Sequence, residues 1–366
     1  MFARLFKLAC AGGALCVTLG APSWAIDIDQ CDITIDQPGD YDVVADLVCP
    51  VAGEPCTCIR VRSSDVTVNL NGYELTGFGG GPGRGAPAGI SLVDVEDVKV
   101  EGPGTITNFS RGFTVIRSNN VEIDGLTVEG GGNGARIIDS SDVEVENSTL
   151  RNQSTGHGMF ILRSNSVEVR EMTIENASPF GIRLSESEDT SFRDLTVRAS
   201  RFSAVVVANS NGTSLENVIM EQNSAAGMFF SGDSQGNTVK RCTIVGTGAT
   251  PPSGGPVSSG IIFTANATDN KIRLCHISDT ALAIQVGGTI NGPTPQAVAD
   301  TRIRETVISG NGAGIVVLDN AEDTRLRDVC IEDSLFDNLN DQSADGVRSR
   351  DLIEDPDGLC PAPEEL

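Results

Sequence analysis

Aromatic, histidine and methionine side chains are scarce in this sequence. Aromatic residues make up 4% of the 366 residues, with one Trp and two Tyr, and there are two His and five Met. So few imidazole and thioether ligands exclude a copper carrier. The few aromatic rings also leave few platforms on which sugar rings could stack, which favours a scaffold over a carbohydrate-active protein.

Basic residues and long apolar segments are also in short supply. The chain has 26 Lys and Arg against 50 Asp and Glu, which argues against nucleic acid or an anionic membrane as a bulk partner. Residues 1–25 combine a short basic start, an apolar stretch and the cleavage pattern Ser23-Trp24-Ala25, and are predicted to be a signal peptide. No later segment is long and apolar enough to span a bilayer, so we expect a secreted or periplasmic protein.

An internal repeat dominates the rest of the sequence. Glycines at 89, 112, 134, 158 and 181 recur every 22 to 24 residues. Apolar and polar residues alternate within each copy, which indicates a strand with one buried face. Short strands with Gly, Asn, Ser and Asp corners predict an all-β parallel solenoid of about ten or eleven coils. The copies lie at 121–128, 143–150, 167–174, 190–197, 213–220, 237–244, 270–277, 301–308 and 324–331.

Two columns of apolar residues are expected to face the interior, with like residues stacked about 4.8 Å apart. The first column is Ile123, Val145, Val169, Phe192, Leu215, Val239, Ile272, Ile303 and Leu326. The second column is Val128, Leu150, Ile174, Val197, Met220, Ile244, Ile277, Ile308 and Ile331.

The repeat and the opening segment resemble the right-handed parallel β-helix repeat family, the pectate-lyase-like group that also contains NosD-type periplasmic proteins. In the opening segment, Pro38-Gly39-Asp40-Tyr41 and the stretch 66–72 resemble the N-terminal cap of such proteins. The resemblance implies a cap at 26–60, a right-handed parallel β-helix at 61–335 and an acidic C-terminal tail at 336–366. The group spans lyases, hydrolases, epimerases and non-enzymes, so the resemblance leaves the function open.

Catalytic signatures of that group can be compared with this chain. Its galacturonan hydrolases carry clustered aspartates with a downstream Arg-Ile-Lys, and its alginate epimerases carry Tyr-Gly and Asp-Pro-His signatures. Neither set stands in this sequence. Pectate lyases hold Ca²⁺ with acidic residues and use an arginine as base without a short linear motif, and that pattern is compatible with this chain.

Eight cysteines follow the leader, an even number that favours disulfides in an oxidising compartment. Aligned repeats put Cys242 and Cys275 in one inward column of neighbouring coils, at disulfide distance. Cys330 lies one place off that column, so we expect it to face outward and to tie down the acidic tail. The predicted pairs are Cys31 with Cys49, Cys242 with Cys275 and Cys330 with Cys360.

The outward positions of the first strand in each repeat form a face that is acidic toward the N-terminus and basic toward the C-terminus. Like charges at strand spacing repel by about 1 kcal/mol per pair in water, so a counter-charge is expected. The predicted substrate-binding residues are Lys240, Lys271, Arg302, Arg325 and Arg327. The predicted metal ligands, with Ca²⁺ as the candidate ion, are Glu122, Asp124, Glu144 and Glu146.

Three interpretations of this two-signed face remain open. It could cradle an acidic polysaccharide on its basic half and a cation on its acidic half. It could pair with a second copy through a two-fold axis that lays acid on base. It could also be a solubilising surface, in which lysines and arginines pair with acids one column over, such as Glu305 and Asp328.

Candidate catalytic residues lie on or near the basic half. Arg273 and Arg304 are its central members, and His276 adjoins them. His157, in the corner Thr155-Gly-His-Gly158, is a second candidate base, although a corner histidine more often bonds its neighbours.

The second strand of the repeat is predicted to have an apolar exterior. Such a patch marks an interface or a surface covered by a loop. The residues expected to face outward are Phe160, Leu162, Val205, Val207, Phe229 and Ile262.

Two functions follow from these features. The first is an exported β-helix that binds or processes carbohydrate, with lyase activity on a uronate polymer as its most specific form. The alternative is a non-catalytic scaffold that uses the same surfaces for assembly.

Overall fold

The computed structural model describes residues 25–49, 56–79, 87–247, 259–288, 297–335, 339–343 and 346–355. The strands of this part begin with β1 (Ile26–Ile28), β2 (Ile33–Ile35), β3 (Gly39–Val43), β4 (Leu47–Val48), β5 (Ile59–Val61), β6 (Val66–Asn69), β7 (Glu74–Thr76), β8 (Ala88–Val93), β9 (Glu96–Thr107), β10 (Arg111–Ile116) and β11 (Asn119–Glu129). They continue with β12 (Asn133–Ile138), β13 (Ser141–Glu146), β14 (Thr149–Arg151), β15 (Met159–Leu162), β16 (Asn165–Glu175), β17 (Ile182–Ser185), β18 (Ser191–Arg198), β19 (Val205–Ala208), β20 (Ser214–Glu221), β21 (Ala226–Ser231) and β22 (Thr238–Val245). The last are β23 (Ser259–Phe263), β24 (Lys271–Arg273), β25 (His276–Ser278), β26 (Leu282–Val286), β27 (Val298–Ala299), β28 (Arg302–Ser309), β29 (Ala313–Val317), β30 (Ala321–Glu322), β31 (Arg325–Glu332), β32 (Leu339–Asp341) and β33 (Arg348–Asp355).

These strands stack turn upon turn as a parallel β-solenoid. The first sheet has 18 strands, the second has 13, and a third pairs β27 with β30. The parallel β-helix predicted from the repeat is confirmed. It has about 12 turns, more than the ten or eleven expected. Within the described ranges there is no helix of the length and hydropathy needed to cross a membrane.

The extra turns come from both ends of the chain. Strands β1 to β5 join the two main sheets, and β32 and β33 pair with β29 and β31. The expected boundaries at residues 60 and 335 therefore fall inside the solenoid. An unpaired edge of a parallel sheet offers free backbone donors and acceptors, and these end segments satisfy them.

In nine successive turns, from β11 to β31, the first sheet bends at one position, where a residue has a positive φ. This bend divides each turn into an N-terminal limb, which carries the two-signed face, and a C-terminal limb. Asn, Asp and Gly tolerate the left-handed conformation best, and they hold most of these positions. The bend residues are Gly125, Asn147, Glu171, Asp194, Asn217, Arg241, Leu274, Glu305 and Asp328.

The interior is apolar and tightly layered. Members of both predicted inward columns are buried, with Ile123 and Val145 fully inaccessible. The largest buried rings are Phe113, Phe192, Phe230 and Phe263. The last two stack across neighbouring turns with ring centroids 4.9 Å apart.

A column of buried serines closes the corner between the second and first sheets. Ser118 accepts a hydrogen bond from the backbone N–H of Val95, and from Ser140 onward each serine accepts one from the backbone N–H of the serine one turn earlier, as Ser164 does from Ser140 at 3.2 Å. The same hydroxyl donates to the carbonyl two residues back, here Leu162 at 3.0 Å. Stacked side chains thus satisfy backbone groups that the turn leaves unpaired. The column comprises Ser118, Ser140, Ser164, Ser187, Ser210 and Ser234.

The disulfides agree with the sequence at one end of the solenoid and differ at the other. Cys242 and Cys275 are bonded, as predicted, with their Cα atoms 4.5 Å apart. The prediction of Cys31 with Cys49 is wrong. The pairs are Cys31 with Cys58 and Cys49 with Cys56.

The register of the second sheet explains the cap pairing. Ile33 lies opposite Ile59 on the next turn, and the Ile33 N–H donates to the Cys58 carbonyl at 3.1 Å. This register brings Cys31 and Cys58 to a Cα separation of 4.2 Å, so Cys49 is left to pair locally.

Cys330 is disulfide-bonded, and its predicted partner Cys360 lies outside the described residues. It occupies the outward register expected of it, opposite Val307. The residue is fully buried.

Candidate functional site

The predicted basic residues lie in two adjacent columns on the N-terminal limb of the first sheet. Opposite Arg273 stand Lys240 on one turn and Arg304 on the other, and Arg327 follows. The neighbouring column has Lys271, Arg302 and Arg325 in register. We call these seven residues the basic stripe.

A cavity of about 330 Å³ opens in the middle of the basic stripe. Its volume falls in the range of small-molecule sites. Five of its lining residues are cationic, and the others are Thr238 and the largely buried Ile272. The cationic members are Lys240, Lys271, Arg273, Arg302 and Arg304.

Acidic residues flank the stripe on both sides and neutralise much of it. At the bend, Arg273 pairs with Glu305 at 2.6 Å and Arg327 with Asp328 at 3.0 Å, which are the partners expected of a solubilising surface. Lys240 pairs with Glu216 at 3.2 Å on the preceding turn. The remaining pairs are Lys271 with Asp269, Arg302 with Asp269 and Asp300, and Arg325 with Asp300 and Asp323, at 3.5–3.9 Å.

Arg304 differs from the rest of the stripe. It is exposed, it lines the cavity, and it has no ion pair within the described part of the chain. Its charge is therefore available to a ligand. Exposed pairs contribute about 0–1 kcal/mol each, so the paired cations can also exchange partners for a polyanion at low cost.

His276 is separated from the basic stripe by the bend. It lies on the C-terminal limb, in register with Thr243 and Val307. Its ring is half-buried, and its Nε2 is 3.0 Å from the Ser309 hydroxyl on the next turn. The structure thus joins Arg273 and Arg304 in one cavity and leaves His276 out of it.

The acidic half of the face forms a second cavity, of about 410 Å³. Glu122 and Glu144 line it, in register with each other and with Glu168. Burial raises the pKa of Glu144, with Arg170 acting against this and the neighbouring Glu146, Glu168 and Glu122 adding to it.

Three of the four predicted metal ligands are paired with cations, and the fourth accepts a hydrogen bond from an amide. Lys99 pairs with Glu122 at 2.8 Å, and Arg170 pairs with both Glu144 and Glu146. Asp124 accepts a hydrogen bond from Asn147 at 2.8 Å. In the described ranges the one cluster of three potential ligand atoms is Cys31, Cys49 and Cys56, whose sulfurs are in disulfides. These contacts occupy carboxylate oxygens that a Ca²⁺ ion, which takes six to eight oxygen ligands, would need.

A second cluster, on the outward face of the second sheet, is only partly foreseen by the sequence. Phe160 lies between two arginines, with Arg136 5.8 Å and Arg183 6.0 Å from its centroid. His157 stacks on Phe180 with the centroids 5.4 Å apart. Phe180 in turn contacts Phe202 at 6.1 Å. Three of the phenylalanines, Phe160, Phe180 and Phe202, thus lie together on one surface.

His157 is shielded rather than poised for catalysis. Burial, together with the charges of Arg183 and Arg136, lowers its pKa to about 4. Its Nδ1 is buried without a hydrogen-bond partner. Burial and the nearby Arg111 likewise lower the pKa of Arg136 to about 10.

Two residues of the predicted apolar exterior face the core instead. Val205 and Val207 are fully buried, and the outward position between them belongs to Val206. Because three consecutive valines show no alternation of apolar and polar residues, the sequence could not show which of them face the core. Phe160, Leu162 and Phe229 are half-buried on the outside, as expected.

Comparisons with known proteins agree with the architecture. A family model for the right-handed beta helix region matches residues 111–197 and 180–344. No curated protein sequence matches the chain.

Two solved structures illustrate the similarity of fold. The tailspike protein of E. coli bacteriophage HK620 in complex with a pentasaccharide has a TM-score of 0.58 and 13% identity, over 81% of this chain and 64% of that one. The Agl-KA catalytic domain has a TM-score of 0.53 and 11% identity, over 88% of this chain and 62% of that one. This chain therefore spans less than two thirds of either structure.

Proposed function

The chain belongs to the right-handed β-helix family, and from that premise we propose that it binds an acidic polysaccharide along the basic stripe and acts on it as a lyase. The observation that carries the proposal is the 330 Å³ cavity, in which five cationic side chains meet. Cations repeated at strand spacing, about 4.8 Å, form a straight row that suits a linear polyanion.

Similar structures support the carbohydrate part of the proposal. The tailspike similar to this chain is described in complex with a pentasaccharide. A protein that shares this fold can therefore hold an oligosaccharide. The disulfides of this chain support a location outside the reducing cytosol, secreted or periplasmic, where such polymers occur.

The roles of the stripe residues follow from their partners. Lys271 and Arg302, whose nearest acidic oxygens are 3.5–3.9 Å away, bind the uronate carboxylates. Arg304, which has no ion pair within the described ranges, removes the proton alpha to the carboxylate. Arg273, fixed by Glu305 at 2.6 Å, stabilises the enolate that develops. The bond from C4 to the glycosidic oxygen then breaks, the leaving oxygen takes a proton from water, and a double bond forms between C4 and C5 of the ring. Arg304 returns its proton to solvent.

The test is incubation of the protein with a panel of uronic-acid polymers, combined with binding measurements on the same polymers. A lyase produces unsaturated ends that absorb in the ultraviolet. We expect Arg304→Gln to abolish product formation while leaving binding within about tenfold, the loss of one charge-assisted contact. Arg198→Gln is the matched control, since Arg198 is exposed and pairs with Glu175 outside the stripe.

The outcomes separate the parts of the proposal. Binding without product on every polymer would show a binding protein that lacks lyase activity. Absence of both binding and product would remove the carbohydrate function altogether.

The alternative is a non-catalytic scaffold. It is favoured by the division of one face into an acidic half, with Glu122, Glu144 and Glu168 in register, and a basic half. In that function the two-signed face contacts a second copy, acid against base. Sizing at low and high salt tests this, because charge-paired assembly must weaken as salt rises.

A further inference from the structure

The outward face of the second sheet contains no carboxylate over ten successive turns. Strands β8, β10, β12, β15, β17, β19, β21, β23, β26 and β29 have no Asp or Glu. This is a large departure in a chain with 50 acidic residues. The central outward column instead runs Arg136, Phe160, Arg183, Val206, Phe229 and Ile262.

One end of this column is cationic and lacks a counter-charge. Neither Arg136 nor Arg183 has an ion pair in the part of the chain that the structure describes. The Arg183 Nε donates one long hydrogen bond, to the Ser185 hydroxyl at 3.4 Å. The Arg136 Nε and the His157 Nδ1 are buried without a hydrogen-bond partner. Burying a charge without a partner is costly, so this end suits an anion supplied from outside.

The other end of the column is an apolar groove of about 380 Å³. Val206, Phe229 and Ile262 form its floor, and Phe180 and Phe202 line one side. Arg183 lines the same groove, so the anionic and the apolar parts of one ligand can be held together.

The groove is too poor in hydrogen-bonding groups for a sugar. Apart from Arg183, its polar side chains are the hydroxyls of Ser203 and Ser231. A saccharide ring would leave several of its own hydroxyls unpaired on the apolar floor, and an unpaired buried hydroxyl is unfavourable. An alkyl or aryl body gains from the same floor.

A second copy of this chain is also a poor occupant of this face. A parallel arrangement would set arginines against arginines, and an antiparallel one would press them against the apolar floor. The charge and shape of the groove suit a small anion with an apolar body. We propose that the groove binds an amphipathic carboxylate, with its apolar body along Val206, Phe229 and Ile262 and its carboxylate on Arg183 and Arg136.

The experiment is calorimetric titration of the full-length protein with decanoate, below its micelle concentration, and with the neutral decanol. We expect decanoate to bind about tenfold more tightly than decanol, the effect of one charge-assisted contact. Arg183→Gln is expected to remove that difference. Phe229→Ala is expected to weaken both ligands by about tenfold, through lost apolar contact.

Two matched variants act as controls. Arg163→Gln removes an exposed arginine that pairs with Asp139 at 2.7 Å outside the groove, and it should leave decanoate affinity within about twofold. Arg304→Gln should also retain decanoate binding, because the basic stripe lies on the other sheet.

Four results would overturn the proposal: no binding of decanoate, equal affinity for decanol, an equal effect of Arg163→Gln and Arg183→Gln, or displacement of decanoate by an oligogalacturonate. The last result would identify the groove as a saccharide site.

Discussion

The environment of His157 predicts an acid sensitivity that can be measured directly. The imidazole stacks on Phe180 at 5.4 Å and lies near Phe160, Arg136 and Arg183. Burial first, and then the two arginine charges, lower its pKa from 6.5 to about 4. The folded state therefore resists protonation of this ring.

The sign of the effect on stability follows from proton uptake. Between pH 6.5 and about 4 the unfolded chain binds a proton at His157 that the folded chain excludes, so acid favours unfolding. Above pH 6.5 the ring is neutral in both states and has no such effect. At about 1.36 kcal/mol per pKa unit, the free energy of unfolding falls by about 3 kcal/mol from pH 7.5 to pH 4 through this residue alone.

Other groups also titrate in this range, so the measurement is a comparison with His157→Phe. The phenyl ring preserves the stack on Phe180 and cannot be protonated. We expect urea unfolding to show that the wild-type protein loses about 3 kcal/mol more than the variant between pH 7.5 and pH 4. Nuclear magnetic resonance of the imidazole carbons, with His276→Gln to assign the two signals, should give a His157 midpoint near 4.

A midpoint near 6.5, or parallel loss of stability in both proteins, would refute this account of the cluster. The variant Arg183→Gln measures how much the charge of Arg183 contributes to the lowered pKa of His157. Because burial is the largest cause, the midpoint should rise only partway toward 6.5 when that charge is removed.

Two further predictions concern the solenoid itself. Ser164→Ala should lower the free energy of unfolding by about 1–3 kcal/mol in urea unfolding, because it leaves the buried Ser140 N–H without the acceptor that it has in the wild-type protein. The exposed Ser154→Ala should change the free energy of unfolding by less than about 0.5 kcal/mol, and equal effects would contradict the role of the serine column. Gly112→Ala should lower the free energy of unfolding by about 3 kcal/mol in the same assay, because the added Cβ would lie 2.3 Å from a Val128 methyl and 2.4 Å from the Gly134 carbonyl oxygen. An unchanged free energy of unfolding would show that neighbouring turns can separate to admit the methyl group.

Local pattern was sufficient for the fold and for the basic stripe. Inward residues such as Ile123 and Val145 recur at the repeat period with polar neighbours, and in a solenoid equal positions in the repeat become equal positions in space. For the same reason Arg273 and Arg304 could be placed side by side from the sequence. The disulfide between Cys242 and Cys275 followed from the same register.

Irregular segments broke that inference. The cap lacks the repeat, so the sequence could not show that Cys31 meets Cys58 on the next turn. The three valines at 205–207 show no alternation of apolar and polar residues. For that reason Val205 and Val207 were wrongly predicted to face outward.

The sequence by itself determined the solenoid, its inward columns and the charges of the first sheet, because each depends only on position within a repeat. Tertiary structure decided which of those charges are already neutralised. At the bend, the side chains of Glu305 and Asp328 extend to Arg273 and Arg327 and form ion pairs with them. It also decided the aromatic and arginine cluster on the second sheet. His157 and Phe180 come from corners of successive turns, and only the stacking of those turns brings their rings together.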